Sequence, residues 1–194
     1  FMQKRVAIIT GAAGGMGQAF VRALLDDGVR VAGFDIAKGT LDAMSSELGA
    51  DFLGVRVDLT DPDAVKAAFH QAALAFGGVD ILVNNAGTCF MSEFPNIPAD
   101  EFQQQMALNF STAFYCCQNA VPLMLQRGGV KKIINISSNG AYNFDVFDPP
   151  PYRASKAALD TLTKDLARRY ANDMICVNSI APAMTETPLF GVLS

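Results

Sequence analysis

Short apolar runs alternate along this chain with longer segments whose apolar residues recur at helical spacing. The first run leads into a glycine-rich loop, after which Phe20, Leu24 and Leu25 belong to a predicted helix. Apolar runs predict strands at 6–9, 29–34, 52–57, 81–83, 132–136 and 174–180. Helices are predicted at 41–48, 61–76, 98–126 and 152–170. This alternation predicts an α/β fold, a right-handed, doubly wound parallel sheet with helices on both faces.

Local signals predict details of the helices. Asp61 is a natural N-cap and Pro62 suits the first helical position, while His70 is expected on the surface of the same helix. Phe102 is expected on a mostly apolar helical face. Three prolines before Tyr152 are expected to keep the chain extended until the last helix begins.

The glycine-rich loop between the first strand and helix, Thr10-Gly-Ala-Ala-Gly-Gly-Met-Gly17, favours nucleotide binding over a simple tight turn. Glycines permit backbone conformations that other residues avoid, and they let a pyrophosphate approach the amides at the helix N-terminus. Because Gly14 and Gly15 are adjacent, the loop fits both T-G-x-x-x-G-x-G and G-x-x-G-x-x-G. The glycines alone therefore leave two related families open.

Asp35 ends the second predicted strand, about twenty residues past the loop, where a carboxylate accepts the adenosine ribose hydroxyls of a dinucleotide. The same carboxylate repels a 2′-phosphate, and the loop carries no arginine to attract one, so NAD is favoured over NADP. The flexible cation of Lys38 would partly offset that repulsion. A solvated acid at a strand end is the alternative interpretation.

Tyr152 and Lys156 are four residues apart at the start of a helical segment, so both side chains leave the same helical face. A neighbouring ammonium favours the ionised phenol and lowers its pKa, which makes the pair a candidate general acid and base. Taken alone, such a pair is also an ordinary feature of a helix surface.

Four motifs occur together in order: T-G-x-x-x-G-x-G, an Asp after the third strand (Asp58), N-N-A-G at 84–87 and Y-x-x-x-K. Together they resemble the short-chain dehydrogenase/reductase family from Val6 to about Phe190. The N-N-A-G motif favours the dehydrogenases over the related extended epimerases and dehydratases. The resemblance implies a Rossmann-type fold and one dinucleotide-binding domain over 1–194.

The resemblance also implies roles for individual residues. Tyr152 is the expected acid/base, Ser138 the residue that binds the substrate oxygen, and Lys156 the residue that tunes Tyr152 and binds the nicotinamide ribose. Asn109 is expected to support a water chain to the lysine, with a purely structural buried asparagine as the alternative. The expected cofactor contacts are Gly11, Gly15, Met16, Gly17, Asp35, Ile36, Asp58, Leu59, Asn85, Ala86, Gly87, Tyr152, Lys156, Pro182, Thr185 and Thr187.

Two departures from the family pattern stand near the C-terminus. Ala183 replaces the usual glycine of a Pro-Gly pair, and the chain stops at Ser194, before the family's last helix and strand. Without that strand, 174–177 is expected to form an unpaired apolar edge. The resemblance implies a homodimer or homotetramer formed through the helices at 98–126 and 152–170.

Composition narrows the function further. The 15 basic and 19 acidic residues give a net charge of −4 and form no basic stripe, which argues against nucleic acid. No apolar run reaches the roughly 18 residues of a membrane span, so a cytoplasmic protein is expected. His70 is the single histidine, which excludes a multi-histidine metal site, and the four cysteines are expected to be buried free thiols.

The expected function is NAD-dependent interconversion of a secondary alcohol and a ketone. The alternatives are an NADPH-dependent ketone reductase of the 3-oxoacyl type and a dinucleotide-binding protein without efficient catalysis. Apolar residues on both sides of the expected cleft suggest an apolar or partly apolar substrate, although core packing or a subunit contact would also explain them. These residues are Phe90, Met91, Phe94, Phe144, Val146 and Phe147.

Overall fold

The computed structural model describes residues 4–143, 148–183 and 185. Six parallel strands form one sheet in the order β3-β2-β1-β4-β5-β6. The chain runs outward from β1 to β3 on one side and then returns to place β4 beside β1, so the predicted doubly wound sheet is confirmed. The strands are β1 (Val6–Thr10), β2 (Arg30–Asp35), β3 (Phe52–Arg56), β4 (Ile81–Asn84), β5 (Lys131–Ile136) and β6 (Ile175–Ile180).

Helices connect the strands and pack on both faces of the sheet. They are α1 (Gly15–Asp26), α2 (Lys38–Leu48), α3 (Pro62–Phe76), α4 (Ala99–Met106), α5 (Thr112–Leu125) and α6 (Pro150–Arg169). The start of α3 follows the predicted chemistry, because the Asp61 carboxylate accepts hydrogen bonds from the amides of Asp63 and Ala64. Pro62 occupies the first turn, where its missing N–H costs no hydrogen bond.

Two apolar clusters form the core, one on each face of the sheet. On one face Phe34, Phe69 and Leu82 lie in a cluster to which α3 and α5 contribute. On the other face Ile9, Val21 and neighbouring residues of α1 and α2 pack together. Continuous apolar strands such as β1, which is buried at every position, are what a sheet covered on both sides requires.

The predicted long helix at 98–126 is interrupted. A π-helical segment, Ala107–Ser111, separates α4 from α5. Phe102, expected on the apolar face, is 48% exposed. Because a π-helical turn holds one more residue than an α-helical turn, it rotates the following side chains, and such segments are frequent at functional sites.

The segment before Tyr152 also differs from the prediction that three prolines keep it extended. A short 3-10 turn spans Asn139–Ala141, and α6 begins at Pro150 rather than at Tyr152. The reason is that a proline in the first helical turn loses no hydrogen bond and has a suitable φ. Pro150 and Pro151 therefore open the helix, and Tyr152 lies within its first turn.

β6 lies at the sheet edge and, within the described ranges, pairs with β5 alone. Cys176, Asn178 and Ile180 are exposed on one of its faces. The prediction that all four cysteines are buried is therefore wrong for Cys176, and Cys89 is half-buried, whereas Cys116 and Cys117 are buried free thiols. His70 is exposed on α3, as predicted.

Candidate active site

Polar and glycine-rich segments follow the carboxyl ends of β1, β4 and β5, which are neighbours in the sheet. Parallel strands end at a common edge, so these segments converge there. Thr10 links two of them, because its hydroxyl accepts hydrogen bonds from the amides of Asn85 and Ala86, both at 3.0 Å. The Asn85 side chain donates in return to the carbonyl oxygens of Thr10 and Gly11. Sequence reasoning assigned no role to Thr10, although it is the first letter of the loop motif.

The glycine loop is packed so tightly that two of its glycines cannot be replaced without displacing backbone. Gly11 has φ +65°, in the region that favours glycine, and a β-carbon there would lie 3.0 Å from Ala86 Cα. A β-carbon on Gly17 would lie 2.0 Å from the Gly11 carbonyl oxygen. The loop therefore turns closely over the start of α1.

The N-terminus of α1 offers amides to an anion. Gly14 is its N-cap, and no side chain caps this end of the helix. Gly14 and Gly15 are exposed, Met16 is half-buried and Gly17 is buried. Since helix N-termini favour negative charge, this cradle fits the pyrophosphate of a dinucleotide.

Asp35 is half-buried at the end of β2, next to the glycine loop. Its carboxylate accepts hydrogen bonds from the amides of Ala13 (2.9 Å) and Ala37 (3.0 Å). The adjacent Ile36 is 63% exposed. The acid is therefore fixed against the loop, and each oxygen retains a lone pair for a ribose hydroxyl.

Asp58 and Leu59 follow β3 and have different environments. The Asp58 carboxylate is exposed and accepts hydrogen bonds from the amide and hydroxyl of Thr60, which lower its pKa. Leu59 packs its side chain into the core. A cofactor contact by Leu59 would therefore have to use its backbone.

Ser138 and Tyr152 are brought together by β5 and α6. Ser138 is 9% exposed, and its Oγ accepts a 3.1 Å hydrogen bond from the Gly140 amide. Burial raises the pKa of Tyr152, while a hydrogen bond with Ser138 acts in the opposite direction. The predicted lowering of this pKa is thus not observed, because desolvation of the phenolate outweighs the stabilising contacts.

Lys156 lies one turn further along α6, with its Nζ 5.8 Å from the centre of the Tyr152 ring. The ammonium donates a 2.8 Å hydrogen bond to the Ile136 carbonyl oxygen. Burial lowers its pKa to about 8, and the nearby charge of Asp160 partly offsets this effect. A β-carbon on Gly87 would lie 3.4 Å from Nζ, so the N-N-A-G segment closes over the lysine.

Asn109 projects from the π-helical segment and is 1% exposed. Its side chain accepts from the Thr88 amide (2.8 Å) and donates to the Thr88 carbonyl oxygen (2.9 Å) and to Ser155 Oγ (3.1 Å). Its Oδ1 would lie 3.0 Å from a β-carbon on Gly87. Asn109 therefore joins the N-N-A-G loop to α6 beside Lys156, an arrangement that fits both the relay role and the purely structural one.

The segment after β6 reaches the same edge. The Asn139 amide donates a 2.8 Å hydrogen bond to the Pro182 carbonyl oxygen. Because Asn139 directly follows Ser138 in the chain, this bond brings Pro182 close to Ser138. Thr185 is exposed, and its hydroxyl donates to the Ala183 carbonyl oxygen at 3.4 Å. Thr187 lies outside the described residues, as do Phe144, Val146 and Phe147 of the expected cleft wall.

On the opposite wall, Met91 is 46% exposed, Phe94 is 76% exposed and Phe90 is half-buried. Sequence reasoning missed two further groups near Ser138 and Tyr152, namely Cys89 and Asp148. The negative charge of Asp148 raises the pKa of Tyr152, and Cys89 would act in the same direction when ionised. Neither residue belongs to a motif: Cys89 lies two residues after N-N-A-G, and Asp148 lies in the segment before Tyr152.

A doubly wound sheet with a glycine loop, and with Ser138, Tyr152 and Lys156 at its carboxyl edge, defines a nicotinamide-dependent oxidoreductase of the Rossmann type. The family model described as short chain dehydrogenase matches residues 5–194. The chain therefore belongs to the short-chain dehydrogenase/reductase family.

Three relatives illustrate the range of similarity. The chain is 36% identical over 200 residues to the 3alpha-hydroxysteroid dehydrogenase of Mediterraneibacter gnavus, covering 99% of this chain and 78% of that protein. It is 38% identical over 195 residues to the 2-(R)-hydroxypropyl-CoM dehydrogenase of Xanthobacter autotrophicus, covering 95% of this chain and 76% of that protein. The chain also matches the structure of the 3-ketoacyl-(acyl-carrier-protein) reductase from Brucella melitensis complexed with NADH. The TM-score is 0.92 at 28% identity, and the match covers 98% of this chain and 80% of that one.

Within the described part of the chain, no helix is both long and apolar enough to cross a membrane. The same residues contain no group of three or more His, Cys, Asp or Glu side chains arranged to hold a metal ion.

Proposed function

We propose that this protein interconverts a secondary alcohol and a ketone by hydride transfer, with NAD as the favoured cofactor. The observation that carries the proposal is the convergence of three side chains: Lys156 Nζ lies 5.8 Å from the centre of the Tyr152 ring, and Ser138 lies close enough to Tyr152 to lower its pKa. These groups lie at the sheet edge that also carries the glycine loop. The relatives named above as dehydrogenases and as a ketoacyl reductase support the same type of reaction.

The residues present fit a bound dinucleotide. The tight loop at Gly11 and Gly17 and the amides at the start of α1 would hold the pyrophosphate, and Asp35 would hold the adenosine ribose. Asn85, Ala86 and Gly87 would border the nicotinamide half. The chemistry supplied by a bound nicotinamide is the acceptance or donation of a hydride at the substrate carbon.

The chain's own residues move the proton and hold the substrate oxygen. In the oxidation direction, Tyr152 Oη accepts the hydroxyl proton, and the Ser138 hydroxyl donates a hydrogen bond to the substrate oxygen. Lys156 stabilises the phenolate that this step needs, and Asn109 orients the groups around the lysine. Because burial raises the pKa of Tyr152, proton acceptance depends on this cationic partner.

The acid/base role is tested by Tyr152→Phe, with Tyr170→Phe at the far end of α6 as the matched control. We expect Tyr152→Phe to bind NADH nearly as the parent protein does and to lose about a thousandfold or more in kcat across an alcohol and ketone panel. The control should retain both properties. Preserved turnover in Tyr152→Phe would overturn the assignment.

The cofactor preference is proposed on the position of Asp35, whose fixed carboxylate would repel a 2′-phosphate. Fluorescence titration with NADH and NADPH should show tighter binding of NADH. Asp35→Asn should narrow the difference between the two affinities, whereas Asp26→Asn, which changes an exposed acid at the end of α1, should leave that difference unchanged. Tighter binding of NADPH by the parent protein would instead favour the second candidate, a ketone reductase of the type named in the Brucella structure.

We also propose that two copies pair through α5 and α6. A cleft of about 350 Å³ runs between these helices and is lined by Phe114, Val121, Leu162 and Leu166 among others. Phe114 is 40% exposed, which suits a surface that a second copy covers. Light scattering should give at least a dimer for the parent protein and a smaller species for Phe114→Asp; a monomeric parent protein would reject the pairing.

A further inference from the structure

The carboxylate of Asp148 lies close to Ser138 at the candidate active site. A β-carbon on Gly140 would lie 2.0 Å from Asp148 Oδ2 and 3.4 Å from Ser138 Oγ. Asp148 Oδ2 and Ser138 Oγ therefore border the same small volume, which is free of a side chain because residue 140 is glycine. Ser138 is the residue assigned to the substrate oxygen, so Asp148 is a neighbour of the reacting centre.

The electrostatics place Asp148 on the same side of the site as the acid/base. Its negative charge contributes to raising the pKa of Tyr152. It also helps burial to raise the pKa of the Cys89 thiol to about 11. Asp148 thus lies close both to Tyr152 on α6 and to Cys89, which follows the N-N-A-G segment.

Backbone contacts hold Asp148 in this position. Arg153 Nε donates a 2.9 Å hydrogen bond to the Asp148 carbonyl oxygen, and Arg153 also donates to the Asn143 carbonyl oxygen. Pro149, the N-cap of α6, follows directly. Because these contacts use the main chain, a change of the Asp148 side chain leaves the anchor in place.

A carboxylate in this place selects among substrates by its chemistry. It accepts hydrogen bonds and donates none, so an alkyl group packed against it would desolvate a charge without replacing its hydrogen bonds. A carboxylate on the substrate's reacting carbon would be repelled. A hydroxyl on the neighbouring carbon would instead satisfy it, while Ser138 and Tyr152 hold the reacting oxygen.

We propose that Asp148 accepts a hydrogen bond from a hydroxyl on the carbon adjacent to the reacting one, so that the enzyme acts on vicinal diols and the corresponding α-hydroxy ketones. This inference rests on the proposed alcohol–ketone interconversion and names the substrate class of that site. The proposed substrates are polar beside the reacting carbon, and the apolar residues at 90, 91 and 94 would contact the rest of the molecule, in line with the expectation of a partly apolar substrate.

The test compares matched pairs that differ by one hydroxyl: 2,3-butanediol with 2-butanol, and 1,2-cyclohexanediol with cyclohexanol, each as all stereoisomers. The parent protein should favour the diol in kcat/KM by about tenfold or more, the size expected for a hydrogen bond to a charged group. Asp148→Ala should reduce this ratio to about one, mainly by raising KM for the diol. NADH binding by fluorescence should not change. Glu47→Ala, which removes an exposed acid near the C-terminal end of α2, should keep the parent ratio.

The outcomes separate this inference from the proposed function. Turnover of the mono-alcohols without a diol preference, or a preference that survives Asp148→Ala, overturns the role of Asp148 and leaves the proposed function standing. Turnover of other alcohols with no activity on either diol also overturns it. No turnover of any alcohol or ketone, with NADH still bound, would reject the proposed function itself.

Discussion

The carboxylate of Asp160 accepts a 2.6 Å hydrogen bond from the hydroxyl of Ser179, which joins α6 to the edge strand β6. Its other oxygen accepts a 3.0 Å hydrogen bond from Ser137 Oγ, next to Ser138 in the chain. Asp160 is 5% exposed and lies one helical turn beyond Lys156. A single buried acid therefore connects the ends of β5 and β6 to the helix that carries Tyr152 and Lys156.

We expect Asp160→Asn to lower the free energy of unfolding by about 1.5–3 kcal/mol, because hydrogen bonds to a charged acceptor are weakened and the new amide group faces other donors. Urea unfolding at neutral pH measures the change. Asp165→Asn, on the same helix but with an exposed side chain, is the matched control and should differ little from the parent protein. Equal loss in both variants would contradict a specific role for the buried acid.

Lys156 gives a stability prediction that depends on pH. Its pKa is about 8 in the folded chain, below its ordinary value of 10.5, so the unfolded chain holds more protons between these two values. Stability therefore rises with pH across that window, and below it burial of the ammonium costs free energy. Lys156→Met removes this dependence. Its stability relative to the parent protein should be highest at neutral pH and should fall by about 2 kcal/mol between about pH 7.5 and about pH 9.5.

Chemical denaturation at the two pH values tests this expectation. Lys164→Met, an exposed position on the same helix, is the control for general effects of removing a lysine. A relative stability of Lys156→Met that stays constant or rises with pH would show that the folded chain does not lower the pKa of this lysine.

The tight packing of the glycine loop predicts that alanine is tolerated at Gly39 but not at Gly17. Gly17→Ala places a methyl group 2.0 Å from a backbone oxygen, so the loop must move, at a cost of about 1–3 kcal/mol, and NADH binding should weaken with it. Gly39→Ala, in α2 with open space around it, should be neutral or slightly stabilising. Thermal unfolding and NADH titration of both variants provide the comparison; normal NADH affinity in Gly17→Ala would argue against this cradle.

A buried ion pair supports the opposite end of the sheet. Arg127 donates two hydrogen bonds to the Asp80 carboxylate, at 2.9 and 2.8 Å, and this carboxylate also accepts from the Val6 amide. We expect Arg127→Met to cost about 3 kcal/mol in unfolding free energy, because it leaves a buried carboxylate without its cation. Arg22→Met, which breaks the exposed pair with Glu47, should have little effect in the same urea experiment.

Local signals in the sequence were sufficient for the strands, the α3 cap and the motifs. Apolar runs identify strands buried on both faces, and Asp61-Pro62 marks a helix start because capping chemistry acts over three or four residues. The interruption at Ala107–Ser111 was missed because five residues are too few for the different spacing of a π-helical turn to appear in the apolar pattern. Pro150 and Pro151 were assigned to an extended segment, since prolines favour both extended chain and the first helical turn.

The sequence by itself determined the doubly wound sheet and the family, because hydrophobic periodicity and motif spacing are properties of the chain order. Tertiary structure alone decided the environment of each group. Burial raises the pKa of Tyr152 and lowers that of Lys156, and no spacing rule contains the solvent exposure on which these shifts depend. Folding likewise places Asp148 beside Ser138 and Asp160 against Ser179, because contacts between distant segments exist only after the sheet has brought its strand ends together.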